Sequence, residues 1–362
     1  MTTTNRRARR RAVKGLRHAL IVALALAVAF TAWLGVSLYL PVGGHQETRF
    51  YVGEGKSPRT VGAELEAKGL IRNAWAFRLA AAWGDGWRHA KAGEYALRSN
   101  TTAIQILRAI ERGDVASELV TVPEGLNLGQ VANLAADKRL CSGEQFLRAA
   151  ASPGEFTADF PLPGDSLEGY LFPDTYNVAR HPGAARDLVR MMLARFDQVI
   201  WRDLLGGRPP LELTRADPRH ASATSRSSLH DLITLASLVE GEAKLGAERP
   251  VIAAVLTNRL KRGMKLECDA TVQYALGRNR KERLAYNDLT IASPYNTYLY
   301  PGLPPGPINS PGRASIEAAL HPAEVPHLFY VARPDGSHIF SRTYAQHLRA
   351  VAAVRAARRG TQ

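Results

Sequence analysis

The sequence predicts an α+β protein with an N-terminal transmembrane helix, a small α+β module and a larger mixed α+β domain. A run without charged residues extends from Ala19 to Gly44, long enough to cross a bilayer. A strand–turn–helix pattern occurs twice, starting at Phe50 and again 70 residues later at Val120. The second half alternates helical segments with Pro- and Gly-rich stretches. The expected boundaries are 1–18 for a basic tail, 19–41 for the transmembrane helix, 42–48 for a linker, 49–115 for the small module and 116–362 for the large domain.

Composition and charge argue against several classes of protein. The hydrophobic fraction of 46% and charged fraction of 22% are ordinary for a globular chain, which argues against wholesale disorder. Seven basic residues before residue 18 supply half of the formal net charge of +14, and no zinc-finger or RNA-binding motif accompanies the rest. We therefore expect no nucleic-acid partner. Cys141 and Cys268 are too far apart for a metal or redox motif, and we expect two unpaired buried thiols, although a bridge is permitted outside the cytoplasm.

The N-terminal apolar run predicts a retained membrane anchor. The basic cluster before it should stay in the cytoplasm, which places everything after residue 45 outside. Trp33 and Tyr39 would then lie at the outer interface, where aromatic side chains are enriched. A cleaved signal peptide is the alternative, but the run is long for one and Gly43-Gly44-His45 is a poor cleavage site.

Each copy of the repeat predicts a strand, a turn at Glu-Gly and an amphipathic helix capped by Ser57 or Asn127. After the first copy, a second helix (74–83), a strand (93–97) and a Thr-capped helix (102–112) complete the small module. This strand–helix–helix–strand order resembles the LysM family of glycan-binding modules. A repeat that serves only as packing scaffold is the alternative.

The large domain contains two predicted helices between two irregular stretches. Residues 207–228 lack periodicity and predict a surface loop. Residues 229–262 predict two helices, the second with Pro250 in its first turn and Gly263 after its end. The stretch 293–311 is too long for a simple turn, and loops of that kind are usually functional or disordered.

Glu240 is the candidate acid. At 100° per residue, it falls near the edge of an apolar stripe on the first of these helices. Apolar neighbours desolvate a carboxyl group, which favours its protonated form and suits a general acid. Leu235 and Leu238 lie outside the stripe, so we expect the helix to be covered on more than one side. A surface glutamate near a helix end is the alternative interpretation.

Two stretches have the composition of a carbohydrate site. Residues 166–176 place Glu168 and Asp174 among aromatic residues, and 293–311 is rich in tyrosine and polar side chains. Aromatic rings bind the C–H faces of sugars, while amides and carboxylates bind hydroxyl groups. The second stretch contains Tyr295, Tyr298, Tyr300, Asn296, Thr297 and Asn309.

Four sequence blocks together resemble the endolytic murein transglycosylase, or YceG-like, family. They are LEGYLFPDTY at 167–176, LASLVEGEA at 235–243, NRL and GMKLECDATVQYALG within 258–277, and SPYNTYLYPGLPPGPINSPG at 293–312. HPAEVPHLFYVA at 321–332 and the single anchor extend the likeness over nearly the whole chain. Asp269-Ala270-Thr271 departs from the family's usual Asp-Pro-Thr, and the loop at 207–228 is longer and more basic than usual.

By that resemblance, Glu240 matches the family's catalytic glutamate. Its protonated carboxyl would donate to the glycosidic oxygen between N-acetylmuramic acid and N-acetylglucosamine. The carboxylate would then accept the proton of the muramyl C6 hydroxyl as that oxygen closes onto C1 in a 1,6-anhydro ring. No metal or organic cofactor is expected. The expected substrate-binding residues are Glu168, Asp174, Glu242, Asp269, Thr271, Gln273, Tyr295, Asn296 and Tyr298.

The resemblance implies a lyase that terminates growing peptidoglycan strands from the outer side of the inner membrane. Its expected partners are glycan strands, the membrane and wall synthases of the penicillin-binding class. The sequence leaves two other functions open. One is a hydrolase that uses Glu240 with Glu168 or Asp269, which would leave reducing ends. The other is a non-catalytic glycan-binding protein that recruits wall synthases.

Overall fold

The computed structural model describes residues 3–44, 47–83, 86–210, 228–277 and 284–360. Most of the predicted loop at 207–228 therefore lies outside the described residues. The chain divides into two compact units, one formed by Met1–Ser117 with Ala179–His181 and the other by Glu118–Val178 with Pro182–Gln362. The helices are α1 (Thr3–Tyr39), α2 (Pro58–Ala67), α3 (Ala74–Ala82), α4 (Ala103–Arg112), α5 (Leu128–Asp137), α6 (Gly143–Ala150), α7 (Ala184–Phe196), α8 (Ser228–Glu242), α9 (Arg249–Lys261), α10 (Asp269–Ala275), α11 (Arg313–Leu320) and α12 (Tyr344–Gly360). The strands are β1 (Glu47–Val52), β2 (Gly93–Arg98), β3 (Ser117–Thr121), β4 (Thr175–Ala179), β5 (Phe329–Ala332) and β6 (His338–Ser341).

Helix α1 contains the predicted anchor. Its segment Lys14–Tyr39 is long and apolar enough to cross a membrane, with a mean hydropathy that reaches 2.4. The helix begins at Thr3, so the basic tail continues the same helix instead of preceding it as a separate segment.

The small module has the predicted strand–helix–helix–strand order. β1 and β2 form an antiparallel pair in which Glu47 faces Arg98 and Val52 faces Gly93. Ser57 caps α2 by accepting a 3.2 Å hydrogen bond from Thr60 N, as its place in the repeat predicts. The order of elements is thus confirmed, while the identity of the module as LysM-like stays a prediction.

The second copy of the repeat also forms strand–helix–helix–strand, from β3 through α5 and α6 to β4. Asn127 caps α5, and its side chain accepts a 2.9 Å hydrogen bond from Gln130 N. Unlike the first copy, it has no separate core, because Val131 and Phe146 belong to the same buried cluster as α7, α8, α9 and α11. The second copy is therefore part of the large domain.

Helix α8 lies at the centre of this domain. Its leucines 229, 232, 235 and 238 are all fully buried, so the helix is covered on more than one side, as the sequence predicts. It contacts α9, α10 and α11. The hairpin of β5 and β6 contacts α12. Cys268 is buried, Cys141 is partly buried, and neither forms a disulfide.

Candidate active site

Glu240 is a buried carboxylate in the last turn of α8, two residues before its end. Only 5% of its surface is exposed, so the alternative of an ordinary surface glutamate is wrong. It occupies this place because the aliphatic residues before it anchor α8 in the core, which leaves the last turn to face the start of α11.

Three groups surround the Glu240 carboxylate. The Ser315 hydroxyl donates a 2.6 Å hydrogen bond to Oε2, and the backbone N–H of Gly312 lies 3.4 Å from the same oxygen. Gly312 is the N-cap of α11, so the carboxylate lies at the positive end of that helix. On the other side, Nη2 of Arg249 lies 3.6 Å from Oε1. Because Arg249 Nε also donates to Ser315 Oγ at 2.9 Å, the three side chains form one connected network.

A second carboxyl group, Glu124, adjoins this network. Its Oε2 atom lies 3.9 Å from Arg249 Nη2, so Glu124 and Glu240 share one guanidinium group. Burial, and next the negative charge of Glu240, raise the pKa of Glu124 above its usual range, against the lowering effect of Arg249. A carboxyl group with a raised pKa beside Glu240 can hold a proton that an ordinary surface glutamate would have lost.

The turn that carries Glu124 is held against the loop before α11. Gly125 N donates to Ser310 O and Ser310 N donates to Leu126 O, each at 2.8 Å. The approach is so close that a Cβ atom on Gly312 would lie 2.0 Å from the Glu124 carboxyl carbon, so a larger residue at 312 would push the Glu124 side chain aside. The Glu124 side chain is 48% exposed, and the corresponding residue in the first copy of the repeat, Glu54, is exposed too.

A small pocket opens at the C-terminal end of α8. Its lining includes Gly241, which follows Glu240, together with Gln273, Tyr274 and Asn309. Of the predicted binding residues, Gln273 is the one that this pocket contains. Polar groups dominate the lining, as expected for a site that binds sugar hydroxyl groups.

A larger cleft shares Tyr274 with the small pocket. Glu168, Tyr295 and His230 line it, and the Tyr274 and Tyr295 rings are in contact with centroids 4.9 Å apart. Glu168 is 6% exposed and accepts hydrogen bonds from Leu128 N at 3.2 Å and from the Tyr274 hydroxyl at 3.4 Å. Burial raises the pKa of Glu168 to about 7, although these hydrogen bonds act to lower it.

Two predicted sugar-binding residues are buried and bonded to the protein. The Asn296 amide donates to the carbonyls of Leu289 and Ile291 at 2.9 Å, and its oxygen accepts from Tyr298 N at 3.0 Å. The Thr271 hydroxyl donates to Cys268 O at 2.7 Å and lies 2.9 Å from Thr297 Oγ1. Asn309 is also buried and donates to Ser237 O at 2.9 Å. Asn296 thus bonds to carbonyls of the irregular loop, while Thr271 and Asn309 bond to carbonyls at the start of α10 and within α8.

The remaining predicted residues form pairs with other partners. The Tyr298 hydroxyl donates a 2.7 Å hydrogen bond to Asp269. Glu242 is hydrogen bonded to Tyr330, whose pKa is raised mainly by burial and then by the Glu242 charge. Asp174 forms a 2.6 Å ion pair with Arg195, and its pKa is lowered, chiefly by the hydrogen bond from Thr175 N. Neither of the two clefts described above includes Asp174.

Arg259 holds the chain segment before α10 in place. It is buried, and Nη1 donates to the carbonyls of Lys265 and Leu266 at 2.9 and 3.1 Å and to Glu267 Oε2 at 2.8 Å. Nε donates to Leu328 O at 2.7 Å. Glu267 has a positive φ of 56°, uncommon for a residue other than glycine, so this turn depends on its side-chain contacts.

Sequence reasoning missed Glu124, Arg249 and Ser315. The Glu124-Gly125 pair is read as a turn, because the same pair occurs at Glu54-Gly55. Arg249 and Ser315 lie in the first turns of α9 and α11, where a polar residue has no distinctive pattern. One feature of the sequence could have drawn attention to Glu124: its Glu-Gly turn follows a strand that was assigned to the large domain.

Comparison with known proteins decides the family. The sequence profile of the YceG-like family matches residues 50–353. The chain belongs to the YceG-like family. It is 32% identical to a Bacillus subtilis protein named endolytic murein transglycosylase over 332 residues, which cover 87% of this chain and 88% of that one. A Streptococcus pneumoniae protein of the same name is 29% identical over 86% of this chain and 60% of its own length.

A solved structure shares the fold. The crystal structure of a YceG-like protein from Listeria monocytogenes matches 84% of this chain and 99% of its own, with 30% sequence identity and a TM-score of 0.52. The expected family membership is therefore confirmed.

Proposed function

We propose that this YceG-like protein is a lyase that cleaves peptidoglycan glycan strands, an endolytic murein transglycosylase. The observation that carries the proposal is the buried Glu240 carboxylate, hydrogen bonded to Ser315, with a polar pocket lined by the next residue, Gly241. The relative from Bacillus subtilis that carries this name aligns with 87% of the chain. Family and site geometry thus support the same chemistry.

In the proposed reaction, Glu240 acts twice. Its protonated carboxyl donates to the glycosidic oxygen as the bond from muramyl C1 breaks. The resulting carboxylate accepts the proton of the C6 hydroxyl, whose oxygen bonds to C1 and closes the 1,6-anhydro ring, so the carboxyl is protonated again. The nucleophile belongs to the substrate. The reaction therefore consumes no water and needs no second carboxylate as a nucleophile.

The neighbours of Glu240 fit the two stages of this cycle. After proton donation, Arg249, Ser315 and the N-terminus of α11 stabilise the negative charge. We propose that Glu124 takes part as well, because its carboxyl has a raised pKa and can hold a proton next to Glu240.

The two clefts suggest where the glycan binds. We propose that Gln273 binds sugar hydroxyl groups next to the cleaved bond, since it lines the pocket beside Gly241. Tyr295 and Glu168 would contact sugars further along the strand, in the larger cleft that Tyr274 joins to the pocket. We propose that Asn296 and Thr271 act by shaping the loop and do not touch sugar, because their polar atoms are bonded to protein.

The other predicted residues also receive proposed roles from their contacts. We propose that Asp269 and Tyr298, a partly exposed pair, bind substrate at the start of α10. Glu242 is proposed to support the β5–β6 hairpin through Tyr330. Asp174, in its ion pair with Arg195, is proposed to be structural.

The location of the enzyme is part of the proposal. α1 would cross the inner membrane once, with the basic tail in the cytoplasm and the remaining chain on the outer side, where peptidoglycan lies. The LysM-like module would bind glycan. Wall synthases of the penicillin-binding class are the proposed protein partners, because termination of a strand has to be coordinated with its elongation.

Product analysis tests the reaction type. Purified full-length protein in detergent is incubated with isolated glycan strands, and the new ends are identified by mass spectrometry. The proposal predicts anhydro-muramyl ends in the interior fragments. Reducing ends would instead indicate a hydrolase that uses Glu240 with a second carboxylate. Unchanged strands would favour a non-catalytic binding protein.

A further inference from the structure

Helix α3 of the small module presents an unusual exposed face. Trp75 is 50% exposed and Trp83 is 83% exposed, and Arg78 and Ala82 are exposed between them. The opposite face, with Ala76, Phe77 and Ala81, is buried in the module core. Two large aromatic rings in solvent beside an arginine are costly for a water-exposed helix but typical of a helix at a membrane surface.

The membrane helix is built into the same module. Leu38 of α1 is a buried member of the module core, and Leu34 packs against that core. Arg72 donates to the carbonyls of Leu40 and Pro41, the latter at 2.7 Å, and so fixes the chain just after α1 ends. The module therefore holds a fixed position at the outer end of α1 and does not hang on a free linker.

Contacts between Trp75 and α1 indicate how deep the Trp75 ring lies in the membrane that α1 would cross. The Trp75 ring lies 5.9 Å from the Trp33 ring and 6.1 Å from the Phe30 ring, measured between centroids. A helix needs about 20 residues to cross the hydrocarbon region. Any stretch of that length within the apolar segment Lys14–Tyr39 contains both Phe30 and Trp33. If α1 crosses the bilayer, Trp75 therefore reaches membrane depth as well.

From this geometry we infer that the exposed face of α3 is a lipid-binding surface. This face, formed by Trp75, Arg78, Ala82 and Trp83, seats the small module in the outer interface of the membrane that α1 crosses. The tryptophan rings lie among the upper acyl chains, and Arg78 faces the lipid phosphates. The inference depends on the membrane crossing by α1 and is independent of the proposed lyase activity.

Quenching by brominated lipids tests this inference. The full-length Trp33→Phe variant is reconstituted in nanodiscs, so that the tryptophan of the membrane helix does not contribute. Phospholipids brominated near the headgroup end of their acyl chains are compared with unbrominated ones. We expect the brominated lipids to lower the emission. A Trp33→Phe protein that also carries Trp75→Phe and Trp83→Phe should lose that quenching, because Trp87 and Trp201 remain as unquenched references.

Three results would overturn the inference. These are equal emission in brominated and unbrominated discs, quenching that survives Trp75→Phe and Trp83→Phe, and an emission change that requires glycan strands instead of brominated lipid. The last would make the face a sugar-binding surface. Cleavage of soluble glycan strands in detergent, measured on the same variants, is expected to be unchanged, so failure of the lyase proposal would be seen separately. Near-ultraviolet circular dichroism verifies that each variant is folded.

Discussion

The Ser315 hydroxyl donates a 2.6 Å hydrogen bond to Glu240 Oε2, and both groups are buried. A hydrogen bond to a charged group contributes about 1.5–3 kcal/mol, which corresponds to about a ten- to hundredfold change in rate. Ser315→Ala should therefore lower kcat by about that factor, because the carboxylate formed after proton donation loses a donor. Initial rates of glycan cleavage measure the effect.

Ser310→Ala is the matched control for this substitution. Ser310 is also buried in the segment before α11, but its hydroxyl has no hydrogen-bond partner among the residues that the structure describes. The kcat of the Ser310→Ala variant should stay close to that of the wild type. Equal rates for Ser315→Ala and wild type would contradict the role of Ser315.

Glu124→Gln should change the pH dependence of activity. Burial, and next the negative charge of Glu240, raise the pKa of Glu124, so its carboxyl changes charge at a higher pH than an ordinary surface glutamate. The neutral amide cannot titrate, so the kcat/KM profile should lose the part of its pH dependence that comes from Glu124. An unchanged profile would mean that the Glu124 carboxyl does not influence the reaction. Glu54→Gln, the exposed equivalent in the first repeat, is the control.

Glu168 should make stability depend on pH. Its folded-state pKa is about 7 against an ordinary value of 4.5, so the folded state binds the proton more tightly than the unfolded state does. The contribution is present below pH 4.5 and is lost as pH rises to about 7, a loss on the order of 3 kcal/mol. The Tm of the wild type in detergent should fall over this range more than that of Glu168→Gln. Parallel Tm curves for the two proteins would refute the assignment.

Arg259→Ala should lower stability strongly. It removes a buried guanidinium that donates to three backbone carbonyls and to Glu267, and it leaves those acceptors without their donor. We expect a loss of about 3–5 kcal/mol in unfolding free energy. Arg262→Ala, in the exposed C-cap position of the same helix, should change it by less than about 0.5 kcal/mol. Thermal unfolding compares the two variants directly. A Tm for Arg259→Ala equal to that of Arg262→Ala would contradict the proposal that Arg259 holds the segment before α10 in place.

Local patterns predicted much of the fold correctly. The caps at Ser57 and Asn127 and the limits of α9 follow from residues within a few positions of each helix end. The burial of α8 on more than one side follows from leucines outside a single stripe. Each of these features depends on neighbours in the chain, which the sequence displays directly.

The partners of Glu240 could not be predicted in this way. Ser315 lies 75 residues from Glu240, and the contact exists only because the start of α11 packs against the end of α8. For Asn296 the prediction of sugar binding relied on its amide group and its loop of tyrosines and polar residues. In the fold, that amide donates to backbone carbonyls of the loop instead. Tertiary packing, invisible in one sequence, decides both cases.

Cleavage by Glu240→Gln protein tests the central claim most directly. Wild type, Glu240→Gln and the control Glu317→Gln, an exposed glutamate on α11, are incubated with isolated glycan strands, and anhydro-muramyl ends are counted by mass spectrometry. Our account predicts such ends with wild type and Glu317→Gln and a loss of at least about a hundredfold with Glu240→Gln. Anhydro-muramyl ends formed by Glu240→Gln at the wild-type rate would contradict it.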